Sequence, residues 1–314
     1  MKKVVILCGG IGGAKLVKGF YNNTGIDLTV IVNTGDDAFI HGVCLSPDID
    51  SVIYALAEVE GEFGWGRKED SFTANKIFSE LMGGFEFKLG DMDLGLNLYR
   101  TEMIKQGKTL TEITHLISQH FGLKENIYPM SNDSVQTKIL TEDDRLLDFQ
   151  DYFVAQQHSV AVENLRFRGI EEALPGPSVI AALEDADAIV IAPSNPFVSV
   201  KPVLEITGVG EVIKQRREKV VAISPIVGGA ALKGPASRML EELGFESSVV
   251  GIASLYGEFA SALVIDHADA ELAAQVEAAG LRSVVTDTIM SNVDRAAALA
   301  KAVLDDAWLE ERDT

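Results

Sequence analysis

Short apolar runs rich in β-branched residues recur along the chain, with amphipathic stretches between them. Two such runs lie near the start, at residues 4–7 and 28–32, and residues 14–21 between them have a helical pattern. Later runs lie at residues 188–191, 220–223, 248–252 and 262–265, with helical patterns such as residues 235–243 between several of them. Strands that alternate with helices predict an α/β fold with a Rossmann-like, mostly parallel sheet and helices on both faces.

The middle of the chain has a different pattern. Between about residues 51 and 150 the apolar positions follow a helical period, most clearly at 51–59, 73–81, 94–106 and 110–121. No linker rich in Pro or Ser separates this stretch from the rest. We therefore predict one domain over residues 1–314, with a mainly helical insertion that caps one end of the sheet. A charged amphipathic helix at 296–312 is predicted to pack on the outside.

Charge limits the classes of partner. The chain carries 47 acidic against 27 basic residues, a formal net charge of −20, so its surface repels polyphosphate and nucleic-acid binding is not expected. No stretch approaches the ~20 apolar residues that cross a bilayer, and a cytoplasmic protein without membrane contact is expected. An anionic substrate must then be held by local amides, a metal ion or a few cations.

A glycine-rich segment follows the first apolar run. Glycines allow a sharp turn and a close approach of the backbone to a ligand, and a helix that starts there offers free amides to a phosphate. The candidate phosphate-binding residues are Gly9, Gly10, Gly12, Gly13 and Lys15. The segment matches neither the Walker pattern nor a clean dinucleotide fingerprint, and a tight turn without a ligand is the alternative.

Acidic residues follow the second apolar run. Asn33, Asp36 and Asp37 come directly after it, and Asp48 and Asp50 lie shortly beyond. In open α/β sheets, ligands bind at the carboxyl ends of the strands, and carboxylates beside a diphosphate suit Mg²⁺. We predict Asp36, Asp37 and Asp48 as metal ligands. The alternative for Asp48 or Asp50 is a cap at the start of the next helix.

Three further segments complete the candidate site. A glycine turn flanked by charged residues lies in the middle of the chain, and two polar loops follow late strands. The alternative is that each segment is only a turn that binds no ligand. Loops at the carboxyl ends of strands can, however, assemble into one site. Their candidate substrate-binding residues are Lys88, Asp91, Arg100, Ser194, Asn195, Ser224, Gly228 and Gly229.

Taken together, these segments resemble the 2-phospho-L-lactate transferase family of coenzyme F(420) assembly. The resemblance includes GGIGGAKL, VNTGDD, SPDIDSV, KLGDMDL, YPMSND, IAPSNPFVS and SPIVGGAALKGPA, in the family's order along the chain. It implies a transferase that moves a phospho-acid from a guanosine diphosphate ester to the ribityl hydroxyl of the deazaflavin Fo and releases GMP. It also implies Mg²⁺ and a homodimer. The carried acid, whether phospholactate, phosphoenolpyruvate or phosphoglycerate, is left open.

The resemblance also suggests residue roles. Asp50, as the catalytic residue, and Lys88 correspond to positions that contact Fo, while the glycine segment and the SNP and SPIVGG loops correspond to the guanosine diphosphate side. Met92 stands where the family usually has arginine, so Lys88 or Arg100 would have to compensate. The alternative is a related family of non-catalytic regulators that bind nucleotide sugars and share the glycine segment.

Overall fold

A central sheet of parallel strands organises the molecule. The computed structural model describes residues 1–21, 23, 25–62, 64–83, 88–156, 159–232 and 234–307. The seven strands of the sheet are β1 (Lys2–Cys8), β2 (Ile26–Val32), β3 (Asn126–Pro129), β4 (Ala188–Ile191), β5 (Val220–Ile223), β6 (Ala262–Asp266) and β7 (Arg282–Thr286). Their order is β3-β2-β1-β4-β5-β6-β7, and every neighbouring pair is parallel. This doubly wound order confirms the predicted α/β class.

Both faces of the sheet are covered. Val5 and Leu7 of β1 belong to one buried cluster, and Val4 and Ile6 belong to another on the opposite face. Because alternate residues of a strand point to opposite faces, two clusters that share one strand mean helices on both sides. The helical arrangement predicted from the apolar runs is therefore confirmed.

Helices connect the strands and form the cap. They are α1 (Gly10–Tyr21), α2 (Pro47–Leu56), α3 (Thr73–Met82), α4 (Asp91–Lys105), α5 (Leu110–His120), α6 (Val179–Asp185), α7 (Lys201–Glu205), α8 (Val209–Gln215), α9 (Ala236–Glu242), α10 (Val249–Tyr256), α11 (Ala273–Ala278) and α12 (Val293–Ala307). None of these described helices is long and apolar enough to cross a membrane. The predicted C-terminal helix corresponds to α12, and its part beyond residue 307 lies outside the described residues.

The middle of the chain is less helical than predicted. Helices α2 to α5 lie between residues 47 and 120, and β3 then joins the edge of the central sheet. A separate antiparallel sheet follows, built from Gln136–Thr141, Leu146–Asp148 and Val162–Arg168. The proline at position 129 argues against a strand in the sequence pattern. It is tolerated at the end of β3 because β3 is an edge strand.

The strand predicted at residues 248–252 is wrong. These residues form the start of α10, where the Ser248 hydroxyl accepts hydrogen bonds from the amides of Val250 at 3.1 Å and Gly251 at 3.4 Å. A short apolar run is compatible with a strand or with a buried helix, and here the serine cap selects the helix.

Candidate active site

The carboxyl ends of the strands form one cleft. The chain runs from β1 outward to β3 and returns to place β4 on the other side of β1, so the strand order reverses between β1 and β4. Open α/β sheets bind ligands at such a reversal. A cleft of about 800 Å³ lies there. Of the predicted site residues it is lined by Gly9, Gly10, Gly12, Lys15, Asp36, Asp48, Asp50, Lys88, Ser194, Asn195 and Ser224.

The glycine segment is the first turn of α1 rather than a loop before it. The helix begins at Gly10, whose φ of +65° favours glycine. The Gly10 amide donates to Asp48 Oδ1 at 2.7 Å. A Cβ on Gly9 would lie only 2.4 Å from Asp48 Oδ2, so the close approach of this carboxylate requires glycine there. The start of α1 and the acidic segment therefore share the cleft, as the sequence predicted.

The carboxylate of Asp48 is held on both oxygens. While Gly10 donates to Oδ1, Asn33 Nδ2 donates to Oδ2 at 2.9 Å. Asn33 is completely buried and does not line the cleft, so it supports Asp48 instead of contacting a ligand. Burial raises the pKa of Asp48 to about 6, although both hydrogen bonds lower it.

A second carboxylate lies beside it. Burial and then the charges of Asp48 and Asp37 raise the pKa of Asp36 well above its ordinary value. Asp36 Oδ1 is buried without a hydrogen-bond partner. A buried carboxylate with one unpaired oxygen and a neighbouring carboxylate that repels it is stabilised by a cation.

Two of the three predicted metal ligands, Asp36 and Asp48, are placed to bind Mg²⁺, and the third, Asp37, is not. Among the described residues, no three His, Cys, Asp or Glu side chains are arranged to hold a metal ion. Mg²⁺ commonly binds through one or two carboxylates together with substrate phosphate oxygens and water, so Asp36 and Asp48 suffice. Asp37 does not line the cleft, and its Oδ2 accepts a hydrogen bond from Ser46 Oγ at 2.7 Å. The structure thus corrects Asp37 from a cleft-facing ligand to a buried neighbour.

Asp50 lines the cleft and is held from behind. The Arg100 guanidinium forms an ion pair with Asp50 Oδ1, and it also donates to Asn97 Oδ1 and to the Cys44 carbonyl. Burial raises the pKa of Asp50 to about 6, while the Arg100 charge lowers it. Only 1% of Arg100 is exposed and it does not line the cleft, which corrects the prediction that it contacts substrate.

Asp91 caps a helix. Its carboxylate accepts hydrogen bonds from Ser71 Oγ at 2.6 Å and from the amides of Thr73 and Ala74, at the start of α3. In return, Asp70 accepts from the amides of Met92 and Asp93 at the start of α4. This reciprocal capping accounts for Asp91, which does not line the cleft.

Other predicted residues also lie outside the cleft lining. Gly13 packs against β1, where a Cβ would meet Cys8 at 2.6 Å. Gly228 and Gly229 are exposed between the two-residue strands Ile226–Val227 and Ala230–Ala231, and the Gly228 amide donates to Asp269. Met92, which stands in place of the family's usual arginine, is 38% exposed and does not line the cleft.

Several lining residues were not among the predicted site residues, although Asp93 lies in the KLGDMDL segment. They are Tyr54, Asp93 and Asn97 of the cap, Phe149, Gln150 and Phe153 between the second and third antiparallel strands, and residues 288–291. Tyr54 lies one helical turn after Asp50, and residues 288–291 follow β7, so helical spacing and position after a strand could have indicated both.

Comparison with known proteins assigns the family. The model of the family described as 2-phospho-L-lactate transferase CofD matches residues 4–305. The chain belongs to this family. It is 36% identical to a 2-phospho-L-lactate transferase of Methanocaldococcus jannaschii, over 96% of this chain and 97% of the relative. It is also 36% identical to a phosphoenolpyruvate transferase of Streptomyces griseus, over 96% of this chain and 98% of the relative.

The solved structures agree on the fold. A crystal structure of a UPF0052 family protein from Bacillus halodurans has a TM-score of 0.67 and 18% identity, and covers 96% of this chain and 98% of its own. The family assignment makes the chain a transferase of coenzyme F(420) biosynthesis, and it confirms the enzyme over the alternative of a non-catalytic regulator.

Proposed function

We propose that this enzyme transfers a phospho-acid from its guanosine diphosphate ester to the terminal ribityl hydroxyl of Fo and releases GMP. The acid is of the phospholactate, phosphoenolpyruvate or phosphoglycerate type. Two kinds of relative support the first two of these acids, since one is named for 2-phospho-L-lactate and another for phosphoenolpyruvate.

The observation that carries the proposal is the pair of buried carboxylates beside the start of α1. Asp36 and Asp48 face the same cleft as Gly10, in a protein with a net charge of −20. A diphosphate cannot bind next to them without a cation, and a cation there would be bound jointly by protein and phosphate. When bound, Mg²⁺ would neutralise charge on the phosphoryl oxygens. Asp36 and Asp48 would hold it, and Ser194, Asn195 and Ser224 would contact the nucleotide.

Asp50 is suited to the acceptor hydroxyl. With a pKa of about 6 it is mostly ionised at neutral pH, yet it remains basic enough to take a proton. The hydroxyl oxygen attacks the phosphorus that bears the acid, the bond from that phosphorus to the GMP oxygen breaks, and the hydroxyl proton passes to Asp50. Lys88, which is exposed and lines the cleft, would orient Fo. Positioning and charge stabilisation supply the rate, and no covalent intermediate is needed.

The test is product formation by mass spectrometry from Fo, Mg²⁺ and each candidate ester, with GMP release measured in parallel. We expect Asp50→Asn to lower GMP release by at least about 100-fold while its circular dichroism matches that of the wild type. The matched control is Asp27→Asn, at an exposed position on β2, which should retain full activity. Normal turnover by Asp50→Asn would remove this residue from the mechanism.

The homodimer and the cytoplasmic location belong to the same proposal, because the family resemblance and the expected cytosolic substrates suggest them. Light scattering coupled to size exclusion measures the first: a mass near twice 33.8 kDa is expected, and a mass near 33.8 kDa would contradict it.

A further inference from the structure

The wall of the cleft that contains Asp50 carries a second carboxylate with no assigned role. Asp93 lies in the first turn of α4 and lines the cleft together with Asp50 and Tyr54. Its Oδ1 accepts a hydrogen bond from the Tyr54 hydroxyl at 2.5 Å. Reciprocal capping explains Asp70 and Asp91, but it does not use the Asp93 side chain.

Helices α2 and α4 hold the two carboxylates reciprocally. Asp50 of α2 is paired with Arg100 of α4, and Asp93 of α4 is paired with Tyr54 of α2. Each helix thus provides one acid and one residue that fixes the acid of the other helix. The spacing allows this, because Asp50 and Tyr54 lie four residues apart on one helix face, and Asp93 and Arg100 lie two turns apart on the other.

The Tyr54–Asp93 pair is fixed in place. The Arg67 guanidinium lies 5.9 Å from the centre of the Tyr54 ring, and the Phe121 ring packs against Tyr54 with centroids 6.1 Å apart. Asn97 Nδ2 donates to the backbone carbonyl of Asp93 at 2.9 Å, from one turn further along α4. The ring contacts hold Tyr54 in place, and its hydroxyl in turn orients the Asp93 carboxylate at the cleft.

Asp93 keeps one oxygen available to a ligand. Tyr54 occupies Oδ1, while Oδ2 lies near Gly66, where an added Cβ would be 3.9 Å away. Gly66 has a φ of +63° and lines the cleft beside this oxygen. A second, partly buried acid beside Asp50 repels anions, but it accepts hydrogen bonds from neutral hydroxyl groups.

We propose that Asp93, oriented by Tyr54, is a substrate-contacting residue that accepts a hydrogen bond from a second hydroxyl group of a polyol acceptor, beside the hydroxyl that Asp50 deprotonates. The inference deepens the proposed function and rests on it, because it takes the acceptor to be a polyol. It adds a specificity: an acceptor with a single hydroxyl at its reacting end would bind poorly.

Calorimetry of Fo and of GDP with Mg²⁺, on the wild type and on Asp93→Asn, tests the inference without turnover. Asparagine keeps an oxygen for the Tyr54 hydroxyl, so the fold should be retained. We expect Fo to bind about 10-fold more weakly to Asp93→Asn, and GDP to bind within about twofold of the wild type. The matched control is Glu102→Gln, at an exposed acid of the same helix, which should bind both ligands as the wild type does.

A second measurement keeps the test independent of folding. Fo analogues that each lack one ribityl hydroxyl should bind more weakly than Fo to the wild type. For one of these analogues, the difference in affinity from Fo should disappear in Asp93→Asn. Tyr54→Phe, which leaves α4 unchanged, should give a smaller loss of Fo affinity. Equal Fo affinity in wild type and Asp93→Asn, or equal loss of both ligands, would overturn the inference. A wild type that binds GDP but neither binds nor modifies Fo would overturn the proposed function instead.

Discussion

The two walls of the cleft are built by different means. On the sheet side, glycines at the start of α1 and the ends of strands line the cleft, and the carboxylate of Asp48 approaches Gly9 and Gly10 closely. On the cap side, polar side chains from two helices line the cleft, and the central one, Asp50, is held from behind by the buried Arg100. Backbone groups suit the diphosphate of the proposed donor, whereas side chains can select an acceptor alcohol. We infer that the enzyme separates nucleotide binding and acceptor choice in this way.

The sheet side should be the more sensitive to a single methyl group. Gly9→Ala places a Cβ 2.4 Å from Asp48 Oδ2 and 2.9 Å from Ser199 Cβ, so Asp48 must move. We expect GMP release to fall by about 1000-fold, with a loss of about 1–3 kcal/mol in the free energy of unfolding from overpacking. Steady-state kinetics and urea titration measure both.

Gly95→Ala is the matched control for that substitution. Gly95 lies inside α4 with nothing within 4 Å of an added Cβ. The alanine should preserve activity and raise stability by up to about 1 kcal/mol. If Gly9→Ala behaved like Gly95→Ala, the close contact at the start of α1 would have no functional importance.

Removing one of the two sheet-side carboxylates should separate activity from stability. Asp36→Asn should lower GMP release by about 100-fold, because one Mg²⁺ ligand is lost. In the wild type, the pKa of Asp36 is raised in the folded state. At pH values between the pKa of Asp36 in the unfolded chain and its pKa in the folded protein, the folded protein therefore binds more protons than the unfolded chain. The wild type therefore loses stability as pH rises through that window, and asparagine does not.

Thermal unfolding measures the second half of that prediction. The Tm of Asp36→Asn should exceed that of the wild type at pH 8, and the difference should shrink towards pH 4. A lower Tm for the variant at pH 8 would show that the Asp36 charge is compensated within the protein itself.

On the cap side, the largest effect should come from Arg100. Arg100→Met leaves Asp50 as a buried charge without its partner, which should cost about 3–5 kcal/mol of unfolding free energy. Because the Arg100 charge lowers the pKa of Asp50, its loss should move the acidic limb of the kcat/KM profile from near pH 6 to higher pH. An unchanged limb would mean that Asp50 is not the group that titrates.

The smallest effect is expected at Asp91. Asp91→Ala removes hydrogen bonds to the first amides of α3 and should cost about 1 kcal/mol. Activity should change by less than about threefold, since the side chain does not line the cleft. A large rise in the KM for either substrate would restore Asp91 as a substrate-binding residue.

The same contrast explains what the sequence could predict. The inner strands are continuous buried apolar runs, so most of the sheet and the edge that carries the site were predictable. The outermost strands β3 and β7 are only partly buried and were not predicted. The contacts that assign roles join distant residues, such as Gly10 with Asp48 and Arg100 with Asp50, which lie 38 and 50 positions apart. Local pattern contains no information on such pairs. Arg100 was therefore predicted to bind substrate, although its guanidinium is paired with Asp50 inside the protein.

The division between the two walls is tested most directly by measuring both ligands on a variant of each wall. Calorimetry would give the affinities of GDP with excess Mg²⁺ and of Fo, for Asp36→Asn and for Asp93→Asn. We predict that Asp36→Asn loses affinity for GDP and retains that for Fo, and that Asp93→Asn does the reverse. Loss of the same ligand in both variants would contradict the account.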